Sequence, residues 1–587
     1  MPTDAEDDEP RLAFDDSRRL TGANRWFDDP AVVLTALGAA ATHPAAHVAW
    51  RERVARLCAD LGWPAPSPVV QVRPGHVLLA VTAPVAMLFT ATEVNEWAWE
   101  CSAAEVEDLA VAGLTRLHDF DEAQATSRFR RQSREEVSAP LQRLLAAAAA
   151  RGIDALVDDD TLSLGLGGGS RSWPRAALPL PMDVPWADLH AVPTLLVTGS
   201  NGKTTTTRLL AAMFARAGRV AGLCSTEGIT VGGVLAEGGD YAGPAGARHV
   251  LRDRRVEVAV LETARGGLLR RGLAVGRADV AVVTNVSEDH LGEYGIADVD
   301  DIAEVKLALA RVLGPAGVLV LNGGDEVLMR VAATLPHVQR VRSALFALQF
   351  DHPRLQSHRA AGGMTCGVED GRLRLQDGAS AVDLGEAVAM PLSVGGAAAY
   401  NVENLAAAAL AAHAAGLPAE LIAATLATFG ATPGDNPGRL ERRAWRGATV
   451  LVDYAHNPDG LAQLLRVARA LAPRRLSLLL GQAGNRDDAA IGHLATTAAA
   501  FAPDLVVIKE LPGMLRGRLP GAVPVLLRQG LLQAGVAVDR LVDEPDEESA
   551  ARRLLDAARD GDVVVLPIHT AAVRQRLAAL LGDNPPR

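Results

Sequence analysis

The chain is expected to be an α/β protein. A central parallel-sheet region holds a phosphate loop, a smaller Rossmann-like region follows it, and an α+β region precedes it. Three observations predict this. The apolar run Leu195-Leu196-Val197 passes through a glycine-rich turn into a helix-like run, Leu209 to Met213. Strand-like and helix-like runs alternate across residues 191–435 and again across 436–587, as a parallel sheet with crossover helices requires. Breaks rich in proline and glycine separate these stretches, at Pro174 to Pro193 and at Pro433, Gly434, Pro437 and Gly438. The domains expected are therefore 1–190, 191–435 and 436–587.

A length of 587 residues is enough for roughly three or four domains. In order along the chain, residues 1 to about 12 are polar and are expected to be disordered. Helices are expected from Val32 to Leu37, Val48 to Leu61, Ala104 to Leu117 and Ser138 to Ala150. Strands are expected at Val69–Val72 and Val77–Val81. The prolines between Pro174 and Pro193 can continue neither a helix nor a central strand, so this stretch reads as a linker. The central region offers strands at Thr194–Val197, Val256–Leu261, Val280–Thr284 and Val318–Leu321. Its helices are expected at Lys203–Ala217, Ile302–Leu313 and Asn401–Ala414. Phe346 to Leu384 reads as short β pieces forming an insertion or subdomain. The last region offers strands at Thr449–Val452, Leu476–Leu480, Leu505–Ile508 and Val563–Leu566.

Aromatic residues make up only 4% of the chain, so its cores must be built from Ala, Leu and Val. A formal charge of −12 argues against non-specific binding to a nucleic-acid backbone. Cys58, Cys101, Cys224 and Cys366 are scattered without metal-like spacing, which fits reduced thiols in a cytoplasmic protein. The acidic N-terminus does not read as a secretory signal, and the apolar runs fall short of a membrane span.

The segment Thr198-Gly199-Ser200-Asn201-Gly202-Lys203-Thr204-Thr205 joins a strand to a helix. In that context backbone N–H groups and the helix dipole hold an anion, Lys203 adds a point charge, and Thr204 is placed to bind Mg2+. Val197 stands where the longer phosphate-loop pattern has a glycine, so the match is to the shorter T-G-[ST]-N-G-K-T form. Ligands of an open parallel sheet lie beyond the carboxyl ends of its strands. Two further segments sit there: Glu262-Thr263-Ala264-Arg265-Gly266-Gly267, and Asn285 with Asp289-His290. A carboxylate and an imidazole at adjacent strand ends can share a divalent ion.

These motifs, with Lys306 in Ile302 to Lys306, resemble the Mur ligases. So do Asn401 and Asn404 in Tyr400 to Ala407, Pro437-Gly438-Arg439, and Asp453-Tyr454-Ala455-His456-Asn457-Pro458. Within that family the resemblance is greatest to the Mur-like half of the cyanophycin synthetases, carried by Ser225 to Ile229, Gly239 to Pro244, Glu262 to Gly267 and Leu515 to Arg518, while Leu20 to Trp26 is similar to their N-terminal opening motif. Leu162 to Ser170 is similar to the lead-in of their ATP-grasp domain, but the Mur-like strand begins at about 194, so that domain is missing. Gly484-Asn485-Arg486-Asp487-Asp488 departs from their G-D-R-R-D-E-D segment.

The resemblance implies an ATP-dependent ligase that activates a carboxylate as an acyl phosphate and joins it to an amine. The expected substrates are an aspartyl side chain with arginine, or β-aspartyl-arginine units. A muropeptide-like or polyglutamate-like acceptor is the alternative, as is a non-catalytic nucleotide-binding partner of a complete synthetase. By the same resemblance Lys203 and Gly199 to Thr205 hold ATP, Thr204 and Glu262 bind one Mg2+, and His290 and a carbamylated Lys306 serve a second. The plain alternative for Lys306 is a salt bridge with Glu304 or Asp301. Asn401 faces adenine or caps a helix. Arg439 contacts phosphate. Asp453 holds the ribose or orders the C-terminal region. His456 and Asn457 line the amine site, with a buried structural role open for His456. Arg486 and Arg516 are candidates to grip an acidic acceptor, with a plain surface arginine as the alternative. The resemblance also implies a homo-oligomer and closure of 436–587 over the ligands.

Overall fold

The structure is a computed structural model that describes residues 14–107, 121–288 and 292–582. The expected α/β class holds. Among the described residues the strands form four sheets.

The first sheet is antiparallel, in the order Phe14–Leu20, Ala31–Ala36, His76–Thr82, Pro68–Arg73. Ala31–Ala36 is thus a strand and not the helix expected over Val32 to Leu37. Its apolar run is buried on both faces, a pattern that periodicity alone cannot assign to helix or strand. The helices Pro44–Asp60 and Leu88–Glu107 cover one face, over a core that includes Trp50, Trp99 and Phe129. Helix Leu88–Glu107 starts well before the expected Ala104, and the rest of that expectation, 108–117, lies outside the described residues, as do residues 1–12.

The presumed linker is not free. Strands Ala155–Val157, Thr161–Leu164 and Arg171–Pro174 form a small sheet, and buried Val184 and Leu189 pack into its core. The glycines after Leu166 join it directly to the central region. Gly168 N–H donates to the Val256 carbonyl at 2.7 Å and Leu166 N–H to the His190 carbonyl at 2.9 Å. A Cβ on Gly167 would lie 2.7 Å from both Val192 Cγ2 and the Val256 carbonyl oxygen.

The central sheet has eleven strands among the described residues. Its parallel core runs Ala221–Ser225, Val258–Glu262, Thr194–Thr198, Ala278–Val283, Leu313–Asn322, Arg342–Gln349, Met364–Glu369. Antiparallel strands extend both edges. The β pieces expected as a subdomain over Phe346 to Leu384 therefore continue this sheet. Helices Lys203–Arg216 and Ala399–Ala414 lie on one face, with Pro244–Arg252, Arg265–Arg271, Val299–Leu307 and Glu326–Ala332 on the other. Strand Thr194–Thr198 sits between two strands that follow it in sequence, so the strand order reverses around it and opens a crevice at its carboxyl end.

The last sheet runs Glu441–Trp445, Ala448–Asp453, Val563–Pro567, Leu476–Leu480, Leu505–Lys509, Leu541–Glu544. All its pairs are parallel except the first. No helix among the described residues is long and apolar enough to cross a membrane.

Candidate active site

The phosphate loop is splinted from below by the strand-end segment Thr284 to Ser287. Ser200 N–H donates to the Asn285 carbonyl (3.0 Å), Asn201 N–H to Asn285 Oδ1 (2.8 Å), and the Thr284 hydroxyl to the Asn201 carbonyl (2.5 Å). The Ser200 hydroxyl donates to the Ser287 carbonyl at 3.1 Å and accepts from Ser287 N–H at 2.9 Å. Two glycines allow this packing. A Cβ on Gly199 would lie 1.8 Å from Thr284 Oγ1, and one on Gly202, at φ +83°, would lie 2.3 Å from Asn404 Oδ1. The Lys203 ammonium folds over the loop and donates to the Gly199 and Ser200 carbonyls, both at 3.0 Å.

Glu262, at the end of its strand, is 1% exposed. Its Oε2 accepts from the Thr204 hydroxyl at 2.8 Å, while Oε1 is buried without a partner. Burial raises the Glu262 carboxyl above its ordinary range, against the opposing pull of Lys203 and Arg439. An orphaned carboxylate oxygen costs about 1–3 kcal/mol or more, and a hard divalent ion bound by oxygen ligands would satisfy it. The pair therefore fits Mg2+.

Arg439 reaches this corner from the hinge. Its guanidinium donates to Thr226 Oγ1 (2.8 Å), Thr204 Oγ1 (3.3 Å) and Glu227 Oε1 (3.5 Å), and lies 4.5 Å from the Tyr454 ring centroid. Asn436, just before the Pro437-Gly438-Arg439 turn, donates to Thr205 Oγ1 at 3.2 Å. A cleft at the hinge, lined by Leu392, Thr432, Asn436, Arg439 and Arg442 among others, opens beside these groups. Asn401 backs one wall of it. Its amide donates to the Leu392 carbonyl at 3.1 Å, and its Oδ1 accepts from Asn404 at 3.0 Å. Asn401 lies inside helix Ala399–Ala414, whose N-cap is Ala398, so it does not cap that helix.

Other candidates are placed differently from the simplest expectation. Both Asp453 oxygens accept from backbone: Oδ2 from Leu440 N–H (2.6 Å) and Oδ1 from Ala455 N–H (2.7 Å). This arrangement orders the hinge. Asn457 caps helix Pro458–Ala470 by accepting from Gly460 N–H at 2.7 Å, and its amide donates to Asn201 Oδ1 at 3.2 Å. Asn201 donates in turn to Asp459 Oδ2 at 2.9 Å. Asn457 thus meets the phosphate loop. His456 is partly buried against Tyr454, with ring centroids 5.5 Å apart.

Asn485, in the Gly484–Asp488 segment, donates to Glu293 Oε1 at 3.0 Å, and Glu293 pairs with Arg265 at 2.7 Å. That segment therefore faces the Glu262–Gly267 turn, with Arg486 partly buried. Arg516 is exposed at φ +49°. Its neighbour Arg518 is the residue that braces the segment, donating to the Gly484 carbonyl at 2.9 Å. Lys306 is 3% exposed on helix Val299–Leu307. The carboxylates of Asp301 and Glu304 are engaged by Arg25, and Asp301 by Arg73 as well. His290 lies outside the described residues.

Two family descriptions match this chain: the Mur ligase middle domain over residues 197–412 and the Mur ligase, glutamate ligase domain over 438–567. The UDP-N-acetylmuramoyl-L-alanyl-D-glutamate–2,6-diaminopimelate ligase of Geobacillus kaustophilus is 30% identical over 445 residues, which cover 71% of this chain and 82% of that protein. The chain belongs to the Mur ligase family. It is also 38% identical over 403 residues to the cyanophycin synthetase of Synechocystis sp., covering 68% of this chain but only 45% of that protein. Among solved structures it resembles the folylpolyglutamate synthase of Mycobacterium tuberculosis complexed with ADP, at 20% identity and a TM-score of 0.47, covering 67% of this chain and 91% of that one.

The candidate site also holds residues that the motifs alone did not single out. Thr226, Glu227 and Tyr454 lie inside segments read only as family markers. Asn436 and Arg574 gave no signal, because one stands in a turn and the other is one of two arginines in helix Ala571–Leu581.

Proposed function

We propose that this chain is an ATP-dependent amide-bond ligase that activates a carboxylate as an acyl phosphate, with a cyanophycin-type substrate. The observation that carries the reading is the Thr204–Glu262 pair with its orphaned oxygen, set beside the phosphate loop and Arg439. The Gly199–Thr205 amides and Lys203 hold the β- and γ-phosphates, and Arg439 adds a positive charge beside Thr204. Phosphoryl transfer asks for such positioning and charge neutralisation more than for covalent help. Thr204 and Glu262 would hold Mg2+, which would supply neutralisation of phosphate charge. The hinge cleft in front of Asn401 takes the adenine. The acceptor carboxylate attacks the γ-phosphorus as ADP leaves, and the amine then displaces phosphate from the acyl group and loses a proton. Lys306, carbamylated, and His290 are proposed to serve a second ion.

The relatives named cyanophycin synthetase support an aspartyl acceptor with arginine, or ready-made β-aspartyl-arginine units. The second of these fits a chain in which the Leu162–Ser170 lead-in packs straight onto the central sheet. The Gly484–Asp488 segment, lying against Glu293, supports a second reading with a different amine or acceptor. The deciding experiment is phosphate release from ATP and Mg2+ across acceptor–amine pairs. Stimulation by β-aspartyl-arginine alone is the expected result. Stimulation only by muropeptide or polyglutamate substrates would move the assignment to the second reading, and no stimulation by any pair would remove the ligase assignment.

A further inference from the structure

We propose that Arg574 is a second guanidinium for the transferring phosphoryl group, acting beside Arg439. The inference rests on the ligase reading above and goes beyond it in naming a residue from the last helix of the chain.

Arg574 lies on helix Ala571–Leu581, yet its side chain crosses to the central region. Its Nη2 donates to Glu227 Oε2, and its Nη1 to the Ile568 carbonyl at 2.8 Å. Arg439 holds the other oxygen of the same carboxylate, at 3.5 Å. Two guanidiniums thus share one carboxylate, and both lie against the Tyr454 ring, at 4.5 and 5.4 Å from its centroid. The side chains of Arg439, Glu227 and Arg574 are 16%, 17% and 10% exposed. The corner therefore sets two guanidiniums against the single Glu227 carboxylate in a confined place, next to Thr204 and Thr226. In the absence of nucleotide, Glu227 serves as the anion.

Two further features show that the position is built. Gly438, the glycine of the Pro437-Gly438-Arg439 turn, has φ +68°, and a Cβ there would lie 2.8 Å from Arg574 Cδ and 3.0 Å from its Nε. The turn that presents Arg439 is thus shaped around Arg574. Behind it, a buried network fixes the start of the Arg574 helix. Glu547 accepts from the N–H groups of His569 and Thr570, both at 2.8 Å, and from Lys509. A hydrogen bond of 3.2 Å joins His569 Nε2 to the Ala455 carbonyl, which ties this network to the Tyr454 loop. A group held this firmly is pre-organised for charge that develops in a transition state.

Arginine suits the task because its planar fork pairs bidentately with phosphate oxygens. As the acceptor carboxylate oxygen bonds to the γ-phosphorus, the bond from that phosphorus to the ADP oxygen breaks and ADP leaves with the electron pair. Arg574 exchanges Glu227 for the oxygens of the moving group, so its effect belongs to the γ-phosphoryl group and not to ADP.

The test compares the binding of ADP and of β,γ-imido-ATP to the full chain in Mg2+ by calorimetry, alongside kcat and KM for ATP. Arg574→Met should leave ADP affinity within about twofold, erase the preference for the triphosphate analogue, and lower kcat by roughly 10²–10³-fold. Arg574→Lys should recover part of both. Glu227→Gln, which removes the competing carboxylate, should tighten the analogue and not ADP. Equal weakening of both nucleotides in Arg574→Met, or weakening of the analogue in Glu227→Gln, would reduce Arg574 to an interface contact. If Arg574→Met does not fold, Arg574→Lys and Glu227→Gln decide by the same criteria. Loss of discrimination in the variant of a protein that responds to no acceptor would support Arg574 while sinking the substrate assignment. No nucleotide binding by the wild type would overturn both.

Discussion

The central region meets its two neighbours in opposite ways. Around the 22–29 loop and helix Val299–Leu307 the contact with the N-terminal region is close-packed and internally neutralised. Gly22 approaches so tightly that a Cβ would lie 2.2 Å from the Leu273 carbonyl oxygen, and one on Gly295 would lie 2.4 Å from Leu78 Cδ1. Asn24 folds the 22–29 loop onto itself, and Leu273 N–H donates to the Ala23 carbonyl at 2.8 Å. Arg25 then bridges Asp301 and Glu304 on helix Val299–Leu307, the helix that carries Lys306. Against the C-terminal region the described contacts that surround the phosphate loop are polar: Asn201 with Asn457 and Asp459, Asn436 with Thr205, and Arg439 and Arg574 with Glu227. Such contacts exchange readily for ligand or water, whereas packed and neutralised ones do not. We propose that the N-terminal side is a fixed buttress and that the C-terminal side, although Val394 and Ala398 of the central region pack into its core, is the movable one.

The largest effect expected separates activity from stability on the movable side. Lys203→Ala should reduce ATP-dependent phosphate release by roughly 10³-fold with the denaturant midpoint nearly unchanged, because the ammonium is bonded to loop carbonyls and lies at the edge of the crevice. An equal loss of stability would mean that the loop is a structural joint and would erase the contrast.

On the fixed side the expected effect is on folding. Arg25→Ala should cost about 3 kcal/mol, read as a shift of the denaturant midpoint, because removing one partner of a buried pair leaves the other unsatisfied. Arg73 and Ala297 N–H still reach Asp301, which keeps the cost at the lower end. ADP affinity should survive in the folded fraction. A fall in ADP affinity with no loss of stability would show that this face, too, responds to the ligand.

The sequence made the two sides unequally legible. The phosphate loop and the strand-end carboxylate were readable because their chemistry needs its residue types at fixed spacing next to a strand, whereas the Pro437-Gly438-Arg439 turn was readable only through the resemblance to the Mur ligases. Regular alternation made the parallel strands readable as well. Ala31–Ala36 was not, because a strand buried on both faces has no alternation to display. The extension of the central sheet by the strands of 342–386 was also hidden, since edge pairing is set by tertiary packing. The roles of Arg25, Arg574 and Glu227 depend on partners more than 200 residues away, and no local pattern signals those.

A titration should distinguish the two faces next. Glu403, on helix Ala399–Ala414, faces Asp325 and Asp459, and burial with these like charges pushes its carboxyl up to about 7 from 4.5. Below pH 4.5 the folded and unfolded states both hold the proton. Between 4.5 and 7 only the folded state does, so stability falls as pH rises, and the loss levels off above 7. The full effect is about 2 kcal/mol after allowance for partial exposure. Glu100, in the N-terminal region, is also raised to about 7 and gives a slope of the same sign. The readout is therefore the difference between the wild type and Glu403→Gln, which should be more stable than the wild type at pH 8 and equal to it at pH 4. Parallel curves would show that Glu403 does not load the movable side.

The smallest effect on stability tests the contrast most directly. Asp459→Ala removes the acceptor of the Asn201 amide and a favourable charge in the first turn of helix Pro458–Ala470. It also removes a like charge facing Glu403. The lost hydrogen bond and helix-dipole interaction are worth about 1 kcal/mol together, and the relief at Glu403 opposes them, so the net change at pH 8 should be under about 1 kcal/mol. The conformational change should be larger than that energy suggests, because the contact bridges two bodies. The variant is expected to scatter as a more open particle without nucleotide and to close when ATP analogue and acceptor are added, since the arginine–phosphate contacts do not depend on Asp459. Identical scattering profiles for variant and wild type, with and without ligands, would mean that the C-terminal region is held as firmly as the N-terminal one. The polar character of its contact would then reflect ligand chemistry and not motion.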